Sequence, residues 1–110
     1  MNHHLLQEQG AKLFSEKAFA KGKLYQIDWY PGYVERSEGL VLGEVYQFNN
    51  INDAFPSLDE YEGPEYKRKI ISITASSNTI NCWTYIYIDS IKNAIEIPNG
   101  DFIAFIKSGL

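Results

Sequence analysis

A single cysteine, Cys82, is the chain's whole supply of thiol. No disulfide framework can form within one copy, and a reducing, cytoplasmic compartment is the expected setting for such a sequence. Basic residues are outnumbered, with 10 Lys plus Arg against 14 Asp plus Glu and a formal net charge of −4. A protein of that sign is poorly suited to holding phosphate backbones, so nucleic acid is not an expected partner. Apolar runs are short, none approaching the roughly 18 residues of a membrane span. A basic-then-apolar leader is also missing from the N-terminal residues, so neither a membrane nor a secretory route is expected. No GxGxxG or GxxxxGK[ST] loop occurs to cradle phosphate, and no GxSxG elbow to present a serine. CxxC and HxxxH spacings are absent as well. His3 and His4 are neighbours near one end, whereas a tight metal site needs three or four converging ligands. The pair therefore reads as exposed, and no metal is expected.

What remains is an ordinary globular composition. The chain has 110 residues, 45% hydrophobic and 22% charged. That length fits one domain, residues 1–110, able to bury roughly two-thirds of its unfolded surface. No repeat or Pro/Gly/Ser linker divides it. Aromatics make up 15%, and 8 are tyrosines. A tyrosine buries a ring while its hydroxyl seeks a partner, which suits either strand packing or a hydroxyl-lined pocket. Composition alone favours packing.

Along the chain, residues 1–9 have weak helical character, which Gly10 would end. Residues 11–20 are ambiguous: Leu13, Phe14 and Ala18 suit a helical face. Residues 23–27 read as a strand, and Tyr30-Pro31-Gly32 as a turn. Residues 40–48 alternate as a strand does, with Gly43 marking a bulge or a close backbone approach. A polar connection over residues 49–53 leads to a short helix with Pro56 at its first position, stopped by Gly63-Pro64. Residues 66–75 and 79–89 form a hairpin around Ser76-Ser77-Asn78. The second of these runs is apolar on both faces, as a covered central strand would be. Residues 95–97 read as a short strand, Pro98-Asn99-Gly100 as a turn, and residues 101–107 as a last helical turn. The class is α+β, with mostly antiparallel strands.

Chemistry concentrates in Leu58-Asp59-Glu60-Tyr61-Glu62-Gly63-Pro64-Glu65-Tyr66. On a short helix, Asp59 and Glu62 share one face and Leu58 and Tyr61 the core face, while Glu60 points to solvent. Glu62 lies at the negative end of the helix dipole, where a carboxylate resists ionising. That place is poor for a surface charge and good for a proton carrier. An acidic, solvated cap explains the spacing equally, and from spacing alone it is the plainer reading. Cys82 sits mid-strand among isoleucines as a buried, inert thiol. Lys67-Arg68-Lys69 alternates faces on a strand, as a solvated edge or as partners for nearby carboxylates.

These segments fall into an order. Gly22-Lys23-Leu24-Tyr25 is followed by Tyr30-Pro31-Gly32 and by Val41-Leu42-Gly43-Glu44-Val45-Tyr46. Then come Leu58-Asp59-Glu60-Tyr61-Glu62-Gly63, Tyr66-Lys67-Arg68, Trp83-Thr84-Tyr85-Ile86-Tyr87 and Ile97-Pro98-Asn99-Gly100-Asp101. The series resembles the γ-glutamylcyclotransferase-like (AIG2-like) family from about Gly22 to Phe102. The resemblance implies an α+β fold, a small mixed β-barrel with short flanking helices and a pocket at one end. It also implies that residues 18–27 are extended. The implied activity is cleavage of γ-glutamyl amides by internal aminolysis: the substrate's α-amine attacks its own γ-carbonyl, releasing 5-oxoproline and a free amine or amino acid. No metal or organic cofactor is implied. Glu62 matches the catalytic acid/base, Tyr66 the tyrosine that lines the pocket, and Tyr30 and Pro31 the pocket rim.

One departure stands out. The family opens with a strand carrying Tyr-Gly-Ser/Thr-x-Leu, whose backbone N–H groups hold substrate, and these 110 residues contain no such motif. The chain is therefore expected to be short at its N-terminus, with weak or absent activity. The alternative is a non-catalytic module of the same fold that binds a small ligand. A lost first strand would also leave a sheet edge unpaired, a route to a homo-oligomer.

Overall fold

The computed structural model describes residues 6, 8, 10–27, 30–97 and 103–108. Strands β1 (Lys12–Lys21), β2 (Lys23–Ile27), β3 (Tyr30–Val34) and β4 (Leu40–Phe48) precede helix α1 (Ile51–Glu62). Strands β5 (Tyr66–Ala75), β6 (Asn78–Tyr87), β7 (Ile95–Ile97) and β8 (Ile103–Ser108) follow it. Five strands close into a barrel in the order β1-β4-β8-β6-β5, and three form a smaller sheet, β3-β2-β7. Pairing is antiparallel except between β4 and β8, which run parallel. The mixed barrel with a short helix is the architecture the resemblance implies. No helix among the described residues is long and apolar enough to cross a membrane.

Two apolar clusters hold the fold. One fills the barrel with Ala18, Val41, Val45, Ile73, Cys82 and Phe105. The other lies between barrel and helix, where Ile51, Phe55 and Leu58 meet Phe48, Tyr85 and Ile106. Alternation along β8 sends Phe105 to the first cluster and Ile106 to the second, each fully buried. A Cβ on Gly43 would stand 2.4 Å from the Phe105 ring and 2.5 Å from the Ile103 carbonyl oxygen. The glycine thus marks a close approach of β4 to β8 rather than a bulge. Bulge-like register shifts occur instead on β1, between Leu13 and Ser15 and between Ser15 and Ala18.

Several expectations are corrected. Residues 12–21, ambiguous by pattern, are strand, since β1 pairs with β4 along its length; of the stretch 18–27 that the resemblance implies is extended, β1 and β2 take all but Gly22. The register shifts of β1 break its alternation, which is why Leu13, Phe14 and Ala18 mimic helical spacing. Tyr30-Pro31-Gly32 is not a turn but strand: it pairs with Ile27, Gln26 and Tyr25 of β2. Pro31 lies on the edge strand of the small sheet, where a missing N–H is tolerated. Helix α1 begins at Ile51, so Pro56 sits inside it rather than at its start. The apolar residues Ile51, Ala54, Phe55 and Leu58 carry it, and Tyr61 is 53% exposed rather than part of the core. Residues 103–108 form a strand in place of the expected helical turn, since β8 fills the gap between β4 and β6. The barrel closes, so the unpaired barrel edge expected of a missing strand does not occur among the described residues.

The expected β6 position holds: the strand lies between β5 and β8. The hairpin reverses through Ser76 and Ser77 alone, with φ of 50° and 67°, and Asn78 already belongs to β6. Leu6 and Glu8 are helical and Leu6 is fully buried. His3, His4 and Pro98-Asn99-Gly100 lie outside the described residues.

Candidate active site

Helix α1 ends where the sequence says it should. Gly63 adopts φ 84° and its N–H donates to the Asp59 carbonyl at 3.0 Å. A Cβ there would meet nothing within 4 Å, so conformation rather than space calls for glycine. The cap fixes Glu62 as the last helical residue, and it is half-buried. Burial pushes its carboxyl above the ordinary carboxylate range.

Beside Glu62 is a small cavity of about 30 Å³. Tyr66 of β5 and Tyr85 of β6 border it, with Pro31 and Tyr33 of β3 across from them. Thr84, Ile103 and Ala104 complete the wall. Of the four sequence-derived site residues, Pro31, Glu62 and Tyr66 converge here. Tyr30 stands back: its hydroxyl donates to Glu65 Oε2 at 2.7 Å, and its ring lies 6.3 Å from that of Tyr66. The Tyr66 hydroxyl donates to the Pro31 carbonyl oxygen at 3.0 Å, tying β5 to β3. Burial, with Glu62 nearby, pushes the Tyr66 phenol well above its ordinary value, so it stays protonated.

Sequence reasoning missed Tyr33 and Tyr85 as cavity residues. Tyr33 followed the segment read as a turn and Tyr85 was visible only as a tyrosine in a strand; their meeting depends on how the small sheet packs on the barrel. The basic run is partly paired, as one of its two readings held. Arg68 forms an ion pair with Asp59, and Lys69 Nζ lies 2.7 Å from Glu35 Oε1. Cys82 is 1% exposed, and burial pushes its thiol up to about 11. No group of three or more His, Cys, Asp or Glu among the described residues could hold a metal ion. A larger hollow of about 410 Å³ lies between β1, β2, β4 and β7, but its carboxylate, Glu96, is paired with Lys23 at 3.3 Å.

The fold and the site together are a closed mixed barrel with a carboxyl at a helix end, sheltered beside tyrosines. The sequence model of the "Gamma-glutamyl cyclotransferase, AIG2-like" family matches residues 1–104. The chain belongs to that family. It is also 27% identical over 93 residues to the "CBK1 kinase activator protein MOB2" of Candida albicans. That match takes in 84% of this chain and 28% of the yeast protein, so the chain spans just over a quarter of the length of this relative. No solved structure matches the chain.

Proposed function

We propose that the protein is a γ-glutamylcyclotransferase-like enzyme that cleaves γ-glutamyl amides by internal aminolysis. Ring closure is intramolecular, so the protein's main task is to hold the glutamyl chain folded. The α-amine nitrogen forms a bond to the γ-carbonyl carbon as the amide C–N bond breaks. One proton leaves the attacking nitrogen and one reaches the departing nitrogen. Glu62 takes the first and returns it as the second, a general base and then a general acid. An exposed glutamate, with a pKa of about 4.3, gives up protons too readily for the return step near neutrality. A Glu62 sheltered at the helix end beside the tyrosine-lined cavity, its proton affinity raised by burial, suits both halves, and this placement is the observation that carries the reading. Tyr66 and Pro31 shape the hollow, and Tyr30 supports Tyr66 from behind.

The size of the hollow favours a second reading. A cavity of about 30 Å³ accommodates one water molecule, so a glutamyl chain enters only when the walls part. With so small a hollow, the same fold would equally serve as a non-catalytic module for a small ligand. One experiment separates the two readings. The purified protein is incubated with γ-glutamylmethylamide, 5-oxoproline is quantified, and binding is followed by calorimetry. Multiple turnovers support the enzyme; binding without product supports the module.

A further inference from the structure

Four hydroxyl-bearing residues line the Glu62 cavity, and each has already given its proton to a partner. Tyr33 donates to the Lys21 carbonyl oxygen at 2.6 Å and Tyr66 to that of Pro31 at 3.0 Å. Thr84 donates to the Ala104 carbonyl oxygen at 3.3 Å. Tyr85 donates to Asp59 Oδ1 at 2.6 Å. A hydroxyl that has donated its one proton can still accept through its oxygen. Toward a guest, these groups are acceptors.

Tyr85 differs from the other three in what fixes it. They donate to backbone carbonyls within the strands. Tyr85 donates to a side-chain carboxylate on α1, one helical turn before Glu62. That carboxylate is itself held: its other oxygen pairs with Arg68. The Arg68 guanidinium lies 3.9 Å from the centre of the Phe55 ring and 5.7 Å from that of Trp83. Phe55 and Trp83 meet edge to face at 5.2 Å. A half-exposed ion pair alone contributes little, but a guanidinium stacked on an aromatic face is confined in orientation. The chain of contacts runs from the aromatic pair through Arg68 and Asp59 to the Tyr85 hydroxyl.

We propose that Asp59, clamped by Arg68, is a positioning residue that commits the Tyr85 proton and so presents the Tyr85 oxygen as an acceptor for the N–H groups of a bound amine. The inference rests on the reading of the cavity as a γ-glutamyl amide site, whose α-amine carries those groups. Released from Asp59, the Tyr85 O–H would turn toward other acceptors, and the amine would lose a partner. Because the bond is made equally before and during ring closure, its loss raises KM and leaves kcat nearly unchanged.

The test is steady-state release of 5-oxoproline from γ-glutamylmethylamide by Tyr85→Phe, Asp59→Ala, Asp59→Asn and the double variant Asp59→Ala/Tyr85→Phe. Thermal melts establish that each is folded. Tyr85→Phe and Asp59→Ala are each expected to raise KM by about 10-fold, the worth of one hydrogen bond. Asp59→Asn keeps an acceptor for the Tyr85 proton and is expected to fall between Asp59→Ala and the unaltered protein. The double variant is expected to match Tyr85→Phe, because Asp59 acts through Tyr85. A purely structural Asp59 would instead give additive effects, which overturns the inference, as does a folded Tyr85→Phe with an unaltered KM. If Glu62→Gln abolishes turnover while the Asp59 and Tyr85 variants change nothing, only this inference falls. If the unaltered protein makes no product, the Kd for the same amide replaces KM. Binding with the same pattern of variants then upholds the inference without the catalytic reading, and no binding at all overturns both.

Discussion

Gly43→Ala tests the packing that brings β8 against the cavity. The added methyl would stand 2.4 Å from Phe105 Cε2 and 2.5 Å from the Ile103 carbonyl oxygen. The φ of Gly43 lies outside the left-handed region, so the penalty is spatial rather than conformational. A flexible surface side chain would swing away, but the Phe105 ring is 0% exposed and the Ile103 oxygen is backbone. Gly43 is also paired with Ile103 in the parallel ladder, so relief requires β4 and β8 to move apart. Overpacking of this kind costs about 1–3 kcal/mol, and a rigid backbone contact places this site in the upper half of that range, about 2–3 kcal/mol. With an unfolding entropy of about 2.1 cal/mol/K per residue, that corresponds to a Tm lower by about 9–13 °C for a 110-residue chain. The assay is a thermal melt beside Gly63→Ala, where space is open but φ is 84°. That control carries only the conformational penalty of an extended backbone at positive φ, about 1–3 kcal/mol. A Gly43→Ala protein melting within about 2 °C of the unaltered one would refute the close approach.

Three further outcomes are expected. Glu62→Gln should raise Tm at pH 8, because burial raises the folded carboxyl's pKa above its unfolded value. The group's favourable contribution is complete below about pH 4.3 and lost as pH rises through the folded value, so the variant's advantage should shrink toward pH 4; a difference constant with pH would contradict this. Ser77→Gly should raise Tm by about 2–4 °C by relieving a left-handed serine at φ 67°; an unchanged or lower Tm would count against strain at that turn. Cys82 should resist a water-soluble disulfide reagent at pH 8 until denaturant is added, and rapid labelling of the native protein would contradict its burial.

Where local pattern and tertiary placement agreed, the fold was legible. Residues 23–27, set off by flanking breakers, and residues 40–48, which alternate, are strands with those bounds. The Gly63 stop and the close approach at Gly43 were also readable, since each places a glycine where side chains are excluded by conformation or by space. The misreadings have physical causes. The register shifts of β1 scramble its period, and the six residues of β8 are too few to show one. Pro56 suggested a helix start, although the spacing of Ile51, Ala54, Phe55 and Leu58 already pointed upstream. The site was half visible. Glu62 stood out by its place at a helix end and Asp59 by sharing its face, but the Tyr85 partner depends on which strand barrel closure brings beside that turn.

The most direct measurement is the rate of 5-oxoproline release from γ-glutamylmethylamide as a function of pH, for the unaltered protein and for Glu62→Gln. If Glu62 carries the proton, the unaltered protein turns over with an acid limb above the ordinary carboxylate range, and the variant is slower by roughly 10²–10⁴-fold. Equal rates in the two proteins would contradict that role for Glu62.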